Sequence, residues 1–197
     1  MKLFIVALFS MLGISVQAQH FNTLKQVYNG YEIKPNEAVL YGNFVARISE
    51  ARSPNTHVIK LQNQKTGEVL SLMINLRPKK LTEKTFVCII PPGTYTIINY
   101  WWPERQRSGN KIYQESIYKG INSMNSLEKK VLDGQIKVED LQQFSFTISP
   151  ETINYLGTWH FNTSLVSFTD DKENMDISIK NKYKNLDLTK ALTVIPD

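Results

Sequence analysis

From Ala38 to Phe168 the chain is a succession of short runs in which apolar and polar residues alternate, each closed by turn-forming residues. Alternation with period two sends successive side chains to opposite faces of a strand, so such runs build half-buried sheets rather than helices. Runs at 38–48, 56–61, 68–76, 85–90, 94–102, 112–118, 143–148, 153–161 and 165–168 read as strands. Between the second and third runs stands Gln64-Lys65-Thr66-Gly67, where glycine accommodates the positive φ of a tight connection, so 56–76 reads as a β-hairpin. The run at 85–90 is apolar on both faces and reads as a central strand. Ser53-Pro54-Asn55, Pro91-Pro92-Gly93 and Ser149-Pro150-Glu151 are turns, and Pro78 within 77–80 breaks the sheet because proline cannot donate to a ladder. Residues 103–110 are polar and charged and read as a loop. About eight short strands separated in this way predict a mainly antiparallel β-sandwich.

The flanks differ from this body. Residues 19–36 are polar with scattered aromatics and read as an extended lead-in that packs on the domain formed by 37–197. Residues 120–141 lose the alternation and carry the breakers Asn122-Ser123, Asn125-Ser126 and Asp133-Gly134, so they read as an insertion with a helical turn near 127–132. In the tail, Met175, Ile177 and Ile179 alternate as in a strand, whereas Met175, Ile179, Tyr183 and Leu186 recur as on a helix face. Asp170 and Asp171 suit a helix N-cap and first turn, which favours a short C-terminal helix over about 171–183.

Residues 1–18 have the form of a secretory signal peptide: Lys2, an apolar stretch from Leu3 to Val16, and Val16-Gln17-Ala18 at the cleavage positions. The apolar stretch is too short for a stable span, so no membrane insertion is expected once it is removed. Gln19 and His20, rather than a lipid-accepting cysteine, occupy the junction. The expected location is therefore periplasmic or secreted. Loss of the leader removes one lysine and no acid, lowering the formal charge of +5 to +4. That excess is spread along the chain, which reads as a solvated surface and not as a nucleic-acid site. Cys88 is the single cysteine, so no internal disulfide can form and the core must hold the domain by itself. Lying in the apolar run Phe86-Val87-Cys88-Ile89-Ile90, it reads as a small buried hydrophobe.

Two segments carry a resemblance. One is Ile90-Pro91-Pro92-Gly93-Thr94-Tyr95-Thr96-Ile97. The other runs through Phe144, Phe146 and Ile148 to Ser149-Pro150-Glu151 and Tyr155-Leu156-Gly157-Thr158-Trp159. Together they resemble small exported bacterial β-sandwich domains of unknown function, related to transthyretin-like, carboxypeptidase-regulatory sandwiches. The resemblance covers roughly residues 38–168 and implies a sandwich without a catalytic centre of its own. Its motifs are structural, so it transfers no functional residues.

Motifs for chemistry are sparse. His20, His57 and His160 are far apart, and no metal-binding spacing or calcium loop occurs, so neither metal nor cofactor is expected. Ser116-x-x-Lys119, Ser126-x-x-Lys129 and Lys65-Thr66-Gly67 match penicillin-binding spacings by coincidence, because Lys65-Thr66-Gly67 precedes both serines and the chain is too short for that fold. Asn162-Thr163-Ser164 is a glycosylation sequon, which is normally inert in a bacterium.

The segment with functional character is Tyr100-Trp101-Trp102-Pro103-Glu104-Arg105-Gln106-Arg107. Adjacent strand residues face opposite ways, so Trp101 and Trp102 cannot share one core. The structural alternative has one tryptophan in the core and the other under the insertion. If one is exposed, Trp101, Trp102, Glu104, Arg105 and Arg107 supply what protein interfaces use, and equally the indole face and polar groups that hold sugar rings. The expectation is a non-enzymatic binding or scaffolding domain whose partner is a protein or a cell-envelope glycan. An enzyme would need acids such as Glu104 and Glu115 to converge.

Overall fold

The computed structural model describes residues 22–46, 56–76, 83–106, 109–122, 127–163 and 165–197. The leader, the turn at 53–55, the break at 77–80 and Arg107 lie outside the described residues. The strands are β1 (Asn22–Thr23), β2 (Lys25–Gln26), β3 (Ala38–Val45), β4 (Thr56–Asn63), β5 (Val69–Asn75), β6 (Glu83–Ile90), β7 (Gly93–Gln106), β8 (Gly109–Ser116), β9 (Ser145–Ile148), β10 (Ile153–His160), β11 (Ser167–Thr169) and β12 (Leu192–Thr193). Among the described residues two α-helices, α1 (Leu127–Leu132) and α2 (Lys172–Lys182), and two single 3₁₀ turns, Val138–Asp140 and Leu188–Lys190, accompany the strands.

The strands form two sheets packed as a β-sandwich. The first has the order β1-β5-β4-β7-β8, and the second β11-β10-β3-β6-β2. β9 joins β7 along residues 93–96, while β8 joins it along 99–106. One edge of β7 is thus shared, and the insertion leaves and returns along it: the Ile117 amide donates to Ile98 and the Ile97 amide to Phe144. Pairing is mainly antiparallel, but β3 runs parallel to β10.

Alternation accounts for the core. Leu40, Phe44, Ile59, Leu61, Leu72, Phe86, Ile97, Leu156 and Trp159 point between the sheets and are buried. Each such side chain contributes about 1.5–3 kcal/mol. β3 is buried on both faces, because Val39 and Tyr41 point the other way into a second cluster with Tyr155, Met175, Ile179 and Tyr183. That cluster is the interface between the second sheet and α2, which settles the tail as a helix. Here the cap differs in detail from the expectation. The Asp170 carboxylate accepts from the Lys172 amide at 3.0 Å, while Asp171 at the N-cap makes no capping bond. α2 is tied down by the Tyr41 hydroxyl, which donates to Asp176 Oδ1 at 2.5 Å. The Asp171 amide also donates to the Tyr155 hydroxyl at 2.8 Å.

The lead-in has a definite role. β1 pairs with β5 at the edge of the first sheet, and three residues later β2 pairs with β6 at the edge of the second. Leu24 between them is buried in the core. One short segment therefore closes the same side of both sheets. On the other side the tail does likewise: β12 pairs with β10, and Asp197 exchanges backbone hydrogen bonds with Ser145 of β9.

The two sequence signatures are joints of this fold. The Tyr95 hydroxyl donates to the Pro91 carbonyl at 2.8 Å, locking the entry to β7. In Tyr155-Leu156-Gly157, the register between β3 and β10 slips, so that Leu156 and Gly157 stand opposite Gly42 alone. Gly157 takes φ +80°, and a Cβ on Gly42 would lie 2.6 Å from the Gly157 carbonyl oxygen. Glycine at both positions lets the strands pass the bulge.

One expectation is overturned. Residues 103–106 and 109–110 are not loop but continue β7 and β8 into a hairpin arm. Proline is tolerated there because β4 ends its pairing at Trp101, leaving β7 beyond that point with β8 as its described neighbour.

Candidate functional site on the outer face of the first sheet

The register of the first sheet assembles the candidate site. Asn99 stands opposite Lys60 on β4 and Ser116 on β8, and Lys60 stands opposite Ser71 on β5. These residues share the face turned away from the core and form a polar row across four strands. Two positions along, Trp101 stands opposite Val58 and Gln114, and Val58 opposite Met73. A stripe containing aromatic and aliphatic side chains thus runs beside the polar row.

Trp101 and Trp102 occupy opposite faces, as alternation requires. Trp102 is buried, stacked between Tyr100 at 4.9 Å and Tyr113 at 5.5 Å. It is a core residue. Trp101 is partly exposed on the outer face, with the Lys60 ammonium 4.8 Å from the centre of its ring. Such a contact is worth about 0.5–2 kcal/mol, more where water is excluded. Lys60 Nζ also donates to Ser71 Oγ at 2.8 Å, and both residues are buried. Burial pushes the Lys60 ammonium below its ordinary range. Asn99 Oδ1 accepts from Ser116 Oγ at 3.3 Å and Gln114 Nε2 at 3.4 Å.

The remaining candidates fall on the arm. Glu104 stands opposite Lys111, and Arg105 opposite Asn110. Glu115 is buried and stands opposite Tyr100. Four positions along the arm separate it from Glu104's partner Lys111, about 13 Å of strand. Among the described residues no three or more His, Cys, Asp or Glu side chains are grouped to hold a metal ion. His57 lies in the core, its Nδ1 2.6 Å from the Tyr100 hydroxyl, and His160 bonds Thr169 Oγ1 at 2.8 Å. Lys65-Thr66-Gly67 lies in the β4–β5 turn, where Asn63 Oδ1 accepts from the Lys65 and Thr66 amides.

The sequence reading missed Val58, Lys60, Asn99 and Gln114 as companions of Trp101. Their alternation within each strand is legible, but their meeting depends on the order of strands in the sheet.

No protein-family profile matches the chain. No curated protein matches it either. Among solved structures, a leucine-rich repeat protein from Bacteroides thetaiotaomicron aligns with a TM-score of 0.34 and 10% identity, over 81% of this chain and 17% of its own. A proposed cell adhesion protein from Parabacteroides distasonis aligns with a TM-score of 0.29 and 10% identity, over 70% of this chain and 38% of its own. The chain thus spans well under two thirds of both proteins, and likenesses this loose assign it neither family nor activity. Among the described residues no helix is long and apolar enough to cross a membrane.

Proposed function

We propose that this chain is an exported, non-enzymatic binding or scaffolding domain that engages its partner through the outer face of the first sheet and the β7–β8 arm. The export assignment rests on the leader at 1–18 and places the protein in the periplasm or outside the cell. The transthyretin-like reading rests on the Pro-Gly-x-Tyr and Tyr-Leu-Gly joints. The observation that carries the functional proposal is the division of labour between neighbouring tryptophans. Trp102 satisfies the core, and Trp101 is spent on a face where an aliphatic stripe meets a polar row. Aromatic residues beside polar groups are what interface anchors are made of. A photo-crosslinker at exposed Gln114 in the native cell envelope tests this: a discrete adduct, lost in Trp101→Ala, is expected. Absence of any adduct removes the proposal.

A second reading is a glycan-binding face. Its favouring observation is that hydrogen-bonding groups of Asn99, Gln114 and Ser116 lie alongside the Trp101 indole. An indole stacks on the apolar face of a sugar while such groups take its hydroxyls. Titration of tryptophan fluorescence with cell-wall oligosaccharides is expected to give a saturable change that Trp101→Ala abolishes with folding retained. Flat responses to every glycan end this reading.

A further inference from the structure

The edge strands of the two sheets differ sharply in length. β1, β2, β9, β11 and β12 have two to four residues each. β8 has eight, and it pairs with β7 at eight successive positions without a register shift. Among the described residues no strand lies on its far side. Neither a proline nor a bulge blunts residues 109–116. A long, regular edge is unusual, because its outward amides and carbonyls offer a template to another strand.

Hydrogen-bond parity identifies the groups that face outward. The Ile117 amide donates to the Ile98 carbonyl, so 117 and 98 form a hydrogen-bonded pair. Such pairs alternate with non-hydrogen-bonded ones along an antiparallel ladder. Ile112 and Gln114, opposite Pro103 and Trp101, therefore turn their amides and carbonyls away from β7. Pro103, which has no amide to give, stands at a position where β8 asks for none. Ile112 also leaves 68% of its side chain exposed on this edge.

A second copy of β8 fits the edge. When the strand pairs antiparallel with itself about a twofold axis, outward groups meet only if the axis passes through a residue and not between two. An axis through Tyr113 sets Ile112 against Gln114 of the other copy, and Lys111 against Glu115 of the other copy. An axis through Lys111 or Glu115 opposes like charges, and one through Ile112 or Gln114 pairs neither charge with its opposite. One register thus combines matched backbone groups with unlike cross-strand charges.

We propose that this chain forms a homodimer through β8, with the two first sheets joined edge to edge into one continuous sheet. Ile112 of each copy exchanges backbone hydrogen bonds with Gln114 of the other. The two Trp101 faces then lie on the same side of the joined sheet, so a partner with repeated units meets both. The contact uses the edge of the sheet and not its outer face, so a monomeric protein leaves the outer-face reading standing.

Sedimentation equilibrium of the purified protein tests the inference from about 1 μM to about 1 mM, the range between firm and weak association. A monomer–dimer equilibrium is expected. Ile112→Pro removes an outward amide but no bond to β7, and is expected to abolish the dimer with the far-ultraviolet dichroism unchanged. Should that variant fail to fold, Lys111→Glu decides, because it changes the charge of an exposed side chain. It sets like charges opposite each other at two symmetric places and is expected to weaken the dimer at least about fivefold. A monomer at every concentration, which would leave the edge to a strand of a different protein, overturns the proposal. So does a dimer that either folded variant leaves as tight as in the parent protein.

Discussion

The Tyr100 hydroxyl lies 2.6 Å from Nδ1 of His57, with the two rings stacked 5.8 Å apart, inside the sandwich. His57 is buried, and burial lowers its pKa from 6.5 to about 4. Its imidazole is therefore neutral in the folded protein at pH values where the unfolded chain already takes up a proton. The stability tied to neutral His57 is complete above pH 6.5 and is lost as pH falls toward 4. From the size of the shift the loss is about 3 kcal/mol. Denaturant titrations between pH 7 and 4 are expected to show this decline, and His57→Gln is expected to flatten it. An equally steep decline in the variant would assign the effect to other groups.

The two tryptophans should separate in their effect on stability. Trp102→Ala empties a stack in the core and is expected to cost about 3–5 kcal/mol. Trp101→Ala removes a partly exposed side chain and is expected to cost about 1–2 kcal/mol, mostly through lost cover over Lys60. Urea midpoints at neutral pH measure both. Equal costs would make Trp101 a structural residue and withdraw the main support for the outer face as a binding surface.

The glycines at the β3–β10 joint are expected to resist substitution. In Gly157→Ala the new methyl would lie 2.8 Å from the Thr169 carbonyl oxygen, on a backbone with φ +80°. In Gly42→Ala it would meet both the Gly157 carbonyl oxygen at 2.6 Å and the Phe86 ring at 2.8 Å. Each substitution is expected to cost more than about 2 kcal/mol, by strain at the first and overpacking at the second. Thermal melts read the cost, and a melting temperature within a degree or two of the parent protein in either variant would refute it.

Cys88 is expected to be silent in the native protein. It is fully buried, and burial pushes its thiol up to about 12. A thiol reagent at pH 8 should label it only at the rate of unfolding, and completely in denaturant. Rapid labelling of the native state would show that β6 opens locally, at the edge where β2 covers it.

Local patterns carried a good part of this fold. The hairpin at 56–76 was legible because its two alternating runs flank a turn whose Asn63 side chain and Gly67 backbone are set within a few residues. α2 was legible as a helix because Met175, Ile179 and Tyr183 fall on one face. The arm was not legible. Pro103 and its charged neighbours carry loop composition, and they are held as strand by pairing with β8 on a stretch where β4 no longer competes. The lead-in was equally opaque, since Asn22–Gln26 lacks alternation and takes strand form from the two edges it covers.

Short-range stereochemistry, written into neighbouring residues, dictated where the central strands fall, that Trp101 and Trp102 must part, and that no disulfide can share the work of the core. The meeting of Trp101 with Lys60 and the parallel join of β3 to β10 came from the folded arrangement alone. Those contacts link segments tens of residues apart, and which of them forms is settled by the joint burial of two sheets and a helix, a quantity that no single run of residues contains.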